Sequence, residues 1–239
     1  MQVWRFFKPD ALGFTFRLVR QTLIDRLTGA APLPLRVRDF VAAHARRGDP
    51  QDVLKTMDRF AREERFLMNI GPEKGPLVRE LLEKLPSDAR ILELGAFCGY
   101  SSIMLADTLG SAGRIVSLEV SGASVEGARA NVDFAGLSGR VEIIHGGSTE
   151  TIPSLEGSFD LVFLDHWKDL YKTDLQAIEA KGLLRPGSIV VADNVGPLFG
   201  ATEYIDYVRN CGRYDSEHRE ATVEYSSVPD AVEISVYRP

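Results

Sequence analysis

Five short apolar runs, separated by stretches of helical periodicity, dominate the chain from residue 89 onward. They are RILEL at 90–94, RIVSLEV at 114–120, VEIIHG at 141–146, FDLVFLD at 159–165 and GSIVVAD at 187–193. Strands that alternate with helices form parallel βαβ units, and continuous apolar runs indicate strands buried on both faces. The pattern therefore predicts an α/β fold with a doubly wound, mostly parallel sheet.

The two ends of the chain depart from this pattern. In the C-terminal tail, ATVEYSS and AVEISVY flank VPD, which predicts an antiparallel hairpin. Near the other end, the prolines and small residues of GAAPLPLRVRDF at 29–40 indicate a linker, whereas Asp49 before Pro50 is a typical helix N-cap. We therefore divide the chain into a basic N-terminal extension with its linker, residues 1–40, and one main domain, residues 41–239.

Charge and cysteine content exclude several classes of protein. The net charge of -6 argues against nucleic-acid binding, which usually requires a basic face. Cys98 and Cys211 are too few for a disulfide framework or a thiolate metal site, so we expect a reducing compartment, the cytoplasm. No stretch reaches 18 consecutive apolar residues, so the sequence predicts no membrane span. The basic, aromatic N-terminus either docks on the domain or contacts a membrane surface or partner; the oligomeric state stays open.

The loop after the first strand indicates the kind of ligand. In open parallel sheets, ligands bind beyond the carboxyl ends of the strands. This loop has Gly95 and Gly99 in a G-x-x-x-G spacing, and Glu93 before it would repel a phosphate, so a cationic ligand fits better. Glu119, which ends the second strand, could accept both hydroxyls of a ribose. The alternative is a turn whose glycines only permit close packing.

Polar residues also follow the fourth and fifth strands. Asp165, Asp193 and Asn194 offer only oxygen ligands, which suit Mg²⁺, although Asp and Asn are also ordinary turn formers. Lys168 lies three residues beyond Asp165, where a dication would favour its neutral amine and make it a general base; on a bare surface it would be a solvated charge. His166 either holds the loop or meets a cofactor, and Trp167 either lines the site or anchors the core.

Several stretches together resemble the catechol O-methyltransferase family. They are MNIGPEKG at 68–75, LELGAFCGYS at 92–101, DFAG at 133–136, FLDHWKD at 163–169, ADNV at 192–195 and VEY at 223–225. The resemblance implies a Rossmann-like, class I methyltransferase fold with S-adenosylmethionine and Mg²⁺ as cofactors and a small catechol as substrate. It also implies Mg²⁺ ligands at Asp165, Asp193 and Asn194, and it makes Lys168 and Glu224 the catalytic residues.

The same resemblance implies which residues contact each ligand. For the cofactor they are Met68, Ile70, Glu93, Gly95, Tyr100, Ser101, Glu119, Ser148, His166 and Trp167. For the catechol they are Asp165, Trp167, Lys168, Asn194, Pro197 and Glu224. Phe97, Phe66 and Thr149 depart from the residues of the animal members, which bears on substrate preference. Two other readings remain: a non-enzymatic partner protein on this fold, and a methyltransferase for a larger phenolic thioester or a modified nucleotide.

Overall fold

The computed structural model describes residues 16, 19–21, 23–25 and 27–239. From residue 33 onward the helices are α1 Leu33–His44, α2 Pro50–Glu63, α3 Gly71–Leu82, α4 Tyr100–Thr108, α5 Gly122–Phe134, α6 Ser148–Thr151, α7 Tyr171–Ala180 and α8 Thr202–Asn210. The strands are β1 Arg90–Leu94, β2 Arg114–Glu119, β3 Val141–His145, β4 Phe159–Leu164, β5 Leu184–Ala192, β6 Tyr214–Thr222 and β7 Pro229–Tyr237. Two short 3₁₀ turns cover Ile152–Ser154 and Lys168–Leu170.

The seven strands form one sheet in the order β3-β2-β1-β4-β5-β7-β6. Strands β1 to β5 pair in parallel, whereas β7 pairs antiparallel with both β5 and β6. The strand order reverses between β1 and β4, so the loops after these two strands flank the cleft where open α/β sheets bind ligands. The predicted fold, a mostly parallel doubly wound sheet with a C-terminal antiparallel pair, is confirmed.

The sheet is buried on both faces, as the continuous apolar runs predict. Every residue of β4 is buried. Because neighbouring side chains of a strand point to opposite faces, Leu161 and Phe163 join one apolar core and Val162 and Leu164 the other. This packing holds the carboxyl ends of the strands, and the loops that follow them, in fixed positions.

The segment predicted to be a linker is mostly helical, so that interpretation is wrong. Helix α1 begins at Leu33, with Val37 and Val41 completely buried. A Cβ on Gly127 of α5 would come within 2.7 Å of the Pro34 carbonyl oxygen, so the two helices pack closely. Prolines are tolerated in a first helical turn because its N–H groups lack intrahelical partners. The boundary at residue 40 falls inside this helix, and the division into residues 1–40 and 41–239 stays a prediction.

Two smaller predictions can be compared with the structure. Asp49 does cap α2, because its side chain accepts a hydrogen bond from Asp52 N at 3.0 Å. The C-terminal hairpin is present, but residues 223–228 form the connection between β6 and β7.

Within the described part of the chain, no helix is long and apolar enough to cross a membrane. The expectation for the N-terminal extension falls mainly on residues 1–15, which lie outside the described residues.

Candidate active site

Many of the predicted site residues follow the carboxyl ends of the parallel strands. Gly95, Tyr100 and Ser101 follow β1, Glu119 ends β2, and Ser148 follows β3. Asp165 follows β4, and Asp193 and Asn194 follow β5. Since these five strands run in parallel, their carboxyl ends meet at one edge.

Glycine is required at position 95 because the ends of β1 and β4 come together there. Its φ is +105°, and a Cβ would lie 2.5 Å from the carbonyl oxygen of Asp165. Real Cβ atoms do not approach backbone so closely, and L side chains rarely adopt such a φ. Gly95 therefore lets the first loop lie directly against the loop that carries Asp165.

Glu93 provides a buried acceptor beside this loop. Its Oε2 accepts hydrogen bonds from the hydroxyls of Ser102 and Ser117, while Oε1 is buried without a hydrogen-bond partner in the described structure. Burial raises the pKa of the Glu93 carboxyl, although the serine donors oppose the shift. An acceptor held in this way suits a positively charged ligand group.

Glu119 ties the end of β2 to the first loop. Its two oxygens accept hydrogen bonds from Phe97 N and Ser121 N, each at 2.8 Å.

The remaining predicted cofactor residues differ in how far their side chains are exposed. Ile70, Tyr100 and Ser101 are buried and Ser148 is half-buried. Met68 and Trp167 are exposed by 39% and 67%, so Trp167 is not an anchor of the core.

Asp193 and Asn194 are both completely buried at the end of β5. Asp193 Oδ1 accepts from Asn194 N at 2.7 Å, and Asn194 Nδ2 donates to Asp230 Oδ2 at 2.9 Å. Their other oxygens, Asp193 Oδ2 and Asn194 Oδ1, have no hydrogen-bond partner among the described residues. Buried acceptors without partners are costly, so this pair fits an oxygen-binding cation such as Mg²⁺.

Lys74, on α3, is a site residue that the sequence did not reveal. Its ammonium is completely buried and lies 2.6 Å from Asp193 Oδ1, 2.5 Å from Glu224 Oε1 and 2.8 Å from Asp230 Oδ2. Oxygens of the same three acids lie within 4.8 Å of one another, which is close enough to hold a metal ion. We therefore assign the centre of this acidic triad to the lysine ammonium.

The cluster holds more acidic than basic groups. In their ionised forms, four carboxylates (Asp165, Asp193, Glu224 and Asp230) face two ammonium groups (Lys74 and Lys168), an excess of two negative charges. Burial raises the pKa of Asp165 to about 6 and those of Asp193 and Glu224 to about 7. Burial opposes the charged form of Lys74, yet the carboxylates raise its pKa well above the ordinary value. A dication would supply the missing charge.

Lys168 lies at the edge of the cluster, in the 3₁₀ turn after β4. Its Nζ is 3.4 Å from Asp165 Oδ1 and 5.1 Å from the centre of the Tyr171 ring, and only 14% of its side chain is exposed. It is therefore not a solvated surface charge. The neighbouring His166 bonds through Nε2 to Asp174 Oδ2 at 2.7 Å, which holds the loop, while its buried Nδ1 has no hydrogen-bond partner within the described part of the chain.

An apolar cluster adjoins Glu224. It consists of Phe66, Leu198, Phe199, Val223 and Val228, packed against the Tyr225 ring. Pro197 is exposed beside it, in the loop after Asn194, and Phe97 is half-buried. Thr149, the third departure, is exposed. The five clustered side chains and the Tyr225 ring give the site an apolar wall next to its charged cluster.

Backbone strain is concentrated at the same site. Outside glycine, the described residues with positive φ are Phe97, Asn194 and Tyr225, at 48°, 52° and 54°. These residues lie in the first loop, in the predicted metal site and next to Glu224. Strain of this kind persists only where surrounding contacts impose it, and it often marks functional sites.

Comparisons with known proteins show the family. A methyltransferase domain family model matches residues 92–195, which include Glu93, Glu119, Asp165 and Asn194. Catechol O-methyltransferase B of Danio rerio is 37% identical over 92% of this chain and 84% of its own length. The chain belongs to the catechol O-methyltransferase family. Another member, catechol O-methyltransferase of Mus musculus, is 36% identical over 95% of this chain and 86% of its own.

A solved structure of an O-methyltransferase has a similar fold. The O-methyltransferase TomG of Streptomyces achromogenes, crystallised in complex with SAM, superimposes with a TM-score of 0.67. It is 25% identical and covers 78% of this chain and 89% of its own. Membership of the catechol O-methyltransferase family confirms the resemblance seen in the sequence and the predicted enzyme class, an O-methyltransferase. Lys74 and Glu224 lie outside the matched domain, so their roles depend on the contacts described above.

Proposed function

We propose that this enzyme transfers a methyl group from S-adenosylmethionine to one hydroxyl of a small catechol, with Mg²⁺ bound at the site and Lys168 as the general base. The observation that carries the proposal is the pair of buried oxygens without partners, Asp193 Oδ2 and Asn194 Oδ1. They lie in a cluster where the acidic groups outnumber the basic groups by two. The names of the relatives and the motif resemblance support catechol as the substrate class.

The cofactor would lie over the first loop. The free Oε1 of Glu93 suits the positively charged amino group of S-adenosylmethionine, and Glu119 suits its ribose hydroxyls. Met68 and Trp167 present exposed apolar surface at the rim, where the adenosyl part could pack. Holding the cofactor in one orientation aligns its methyl group with the substrate, an effect that contributes about 7–11 kcal/mol in well-oriented reactions.

The substrate would lie between the charged cluster and the apolar wall. Mg²⁺ held by Asp165, Asp193 and Asn194 would orient two adjacent phenolic oxygens and lower the pKa of one. Glu224 Oε2, which is buried without a hydrogen-bond partner in the described structure, would accept from the hydroxyl that is not methylated. Phe66 and Val223 would pack against the ring, with Trp167 and Pro197 at its edge.

Lys168 would remove the proton from the reacting hydroxyl. For this step Lys168 must be in its neutral amine form, which a neighbouring dication would favour over the ammonium. The amine takes the proton, and the resulting oxygen anion forms a bond to the methyl carbon as the sulfur–methyl bond breaks. Lys168 lies beside Asp165, so the base and a proposed metal ligand come from one loop. A positioned general base contributes about 10²–10⁴-fold to the rate.

The test compares substrates that differ only in the second oxygen. Methyl transfer from labelled cofactor is measured with catechol, guaiacol and phenol at matched concentrations, with Mg²⁺ or with excess chelator. We expect guaiacol and phenol to react at least about 10²-fold more slowly, since each lacks one contact of a site built for two hydroxyls. Similar rates for all three, or a full rate in chelator, would contradict the proposal. A phenolic acyl thioester in the same assay tests the larger substrate class.

We also propose that the enzyme is located in the cytoplasm. Cys98 and Cys211 are both unpaired, as a reducing compartment would keep them. The cytoplasm and the absence of a nucleic-acid partner both stay predictions. Fractionation of cells that express the full chain would test the location, with membrane association as the contrary outcome.

A further inference from the structure

Lys74 is paired with three acids of the site at the same time. Its ammonium, which has three N–H groups and no acceptor, donates to Asp230 on β7 and forms ion pairs with Asp193 after β5 and Glu224 in the β6–β7 connection. One buried side chain thus joins three separate segments of the chain.

Two of these contacts engage one carboxylate oxygen and leave the other oxygen of the same group without a partner. Lys74 contacts Asp193 Oδ1 and Glu224 Oε1, while Asp193 Oδ2 and Glu224 Oε2 have no hydrogen-bond partner among the residues described. These two free oxygens are the ones that the proposed function requires for the dication and for the second hydroxyl of the substrate.

Asp230 extends this arrangement to Asn194. Its Oδ2 accepts from both Lys74 and Asn194 Nδ2, and its Oδ1 accepts from Gly196 N at 3.1 Å. Because the amide nitrogen of Asn194 faces Asp230, the amide oxygen must point away from it. That oxygen, Oδ1, is likewise buried without a partner in the described region.

We propose that Lys74, together with Asp230, is the positioning device of this site: it determines which oxygen of Asp193, Asn194 and Glu224 faces the ligands. It also fills the centre of the acidic triad and so confines the dication to Asp165, Asp193 and Asn194. This inference rests on the proposed function. It extends that function by giving a role to a lysine and an aspartate that are not among the proposed cofactor or substrate contacts.

The main test replaces Lys74 with methionine, which keeps most of the stem and removes the ammonium. Mn²⁺ serves as a spectroscopic probe for the divalent site, in the presence of S-adenosylmethionine and without catechol. We expect K74M to bind Mn²⁺ at least as tightly as the original chain, because one opposing positive charge is lost. We also expect added catechol to leave the Mn²⁺ spectrum unchanged, whereas it alters the spectrum of the original protein. The KM for catechol should rise and kcat should fall, each at least tenfold.

Two outcomes would overturn the inference. One is a K74M protein with an unaltered spectral response to catechol and unaltered kinetics. The other is a folded K74M protein that binds S-adenosylmethionine but no Mn²⁺. Lys84→Met is the matched control, because Lys84 follows the same helix, is exposed and pairs only with Glu80 in the described structure.

A second variant serves if K74M does not fold. Asp230→Asn retains Lys74 and its contacts with Asp193 and Glu224 but gives Asn194 an amide neighbour that can donate. Asn194 can then turn its oxygen toward residue 230, so we expect Mn²⁺ affinity to fall at least tenfold while S-adenosylmethionine affinity stays within twofold. Unchanged Mn²⁺ affinity would overturn the inference. If the original chain needs no divalent ion for catechol methylation, the proposed function fails instead, and the two failures are thereby distinguished.

Discussion

The backbone of Gly71 lies directly against the side chain of Glu224. Gly71 is the first residue of α3, its φ is +59°, and a Cβ there would come within 2.9 Å of Glu224 Cγ. The start of α3 therefore packs against the side chain of Glu224, and Lys74, one turn later, contacts the carboxylate of Glu224. One short segment sets both the position and the charge environment of this acid.

Gly71→Ala should consequently weaken catechol binding as well as stability. The left-handed backbone conformation costs an alanine about 1–2 kcal/mol, and the new methyl group displaces Glu224. The matched control is Gly182→Ala, because Gly182 has a φ of +71° and a Cβ there would have no neighbour within 4 Å. Both variants should lose stability in urea unfolding, but only Gly71→Ala should raise the KM for catechol. An equal KM in the two variants would show that Gly71 does not position Glu224.

Lys168→Met should slow methyl transfer by about 10²–10⁴-fold, the usual contribution of a general base. The remaining rate should rise with pH, because free catecholate becomes available without the lysine. Single-turnover rates at several pH values provide the measurement. Lys181→Met, at an exposed lysine after α7, is the control and should retain the original rate. A Lys168→Met protein that is unimpaired at neutral pH would leave Lys168 without a catalytic role.

Asp193→Asn should abolish most of the turnover but leave cofactor binding intact. The change keeps the size of the side chain and removes one negative charge from the proposed ion site, whereas Glu93 on β1 and Glu119 at the end of β2 are untouched. Calorimetry should give an S-adenosylmethionine affinity within about twofold of the original. The rate should fall at least about 10²-fold, on the scale of losing a polar contact in a site built for it. Loss of cofactor affinity in proportion to the rate would refute this separation of roles.

Glu93→Gln should raise the stability of the ligand-free protein at neutral pH while weakening cofactor binding. Burial raises the folded-state pKa of Glu93 above its ordinary value of 4.5. Its protonated form is therefore favoured in the folded protein, so its stabilising contribution is present below pH 4.5 and is lost as pH rises through the folded pKa. Thermal unfolding from pH 5 to 8 should show a smaller loss of stability in the variant.

The same Glu93→Gln variant should bind S-adenosylmethionine at least about tenfold more weakly, since hydrogen bonds to charged groups contribute about 1.5–3 kcal/mol. The control is Glu83→Gln, at an exposed position, which should change neither property. A variant with unchanged cofactor affinity would show that the buried carboxylate serves only the fold.

The sequence alone determined the sheet and the edge on which the site lies. Continuous apolar runs at helix-separated spacing require strands buried on both faces, and parallel strands bring their carboxyl ends together. Asp165, Asp193 and Asn194 follow two such strands, so their common edge could be predicted without coordinates. Local signals were equally reliable at Asp49, where the N-cap depends on a single neighbouring turn.

Only the tertiary structure decided which of these groups share a hydrogen bond and which are left free. A lysine is normally exposed, so nothing in MNIGPEKG indicated that Lys74 is completely buried among acids that lie more than a hundred residues away in sequence. In the same way, the prolines near residue 33 suggested a linker because proline disrupts helices from within. Pro32 instead lies at the N-cap position of α1, and Pro34 lies in the first turn, which packs on α5. Burial and long-range pairing depend on the assembled sheet and helices, so they cannot be predicted from local sequence patterns.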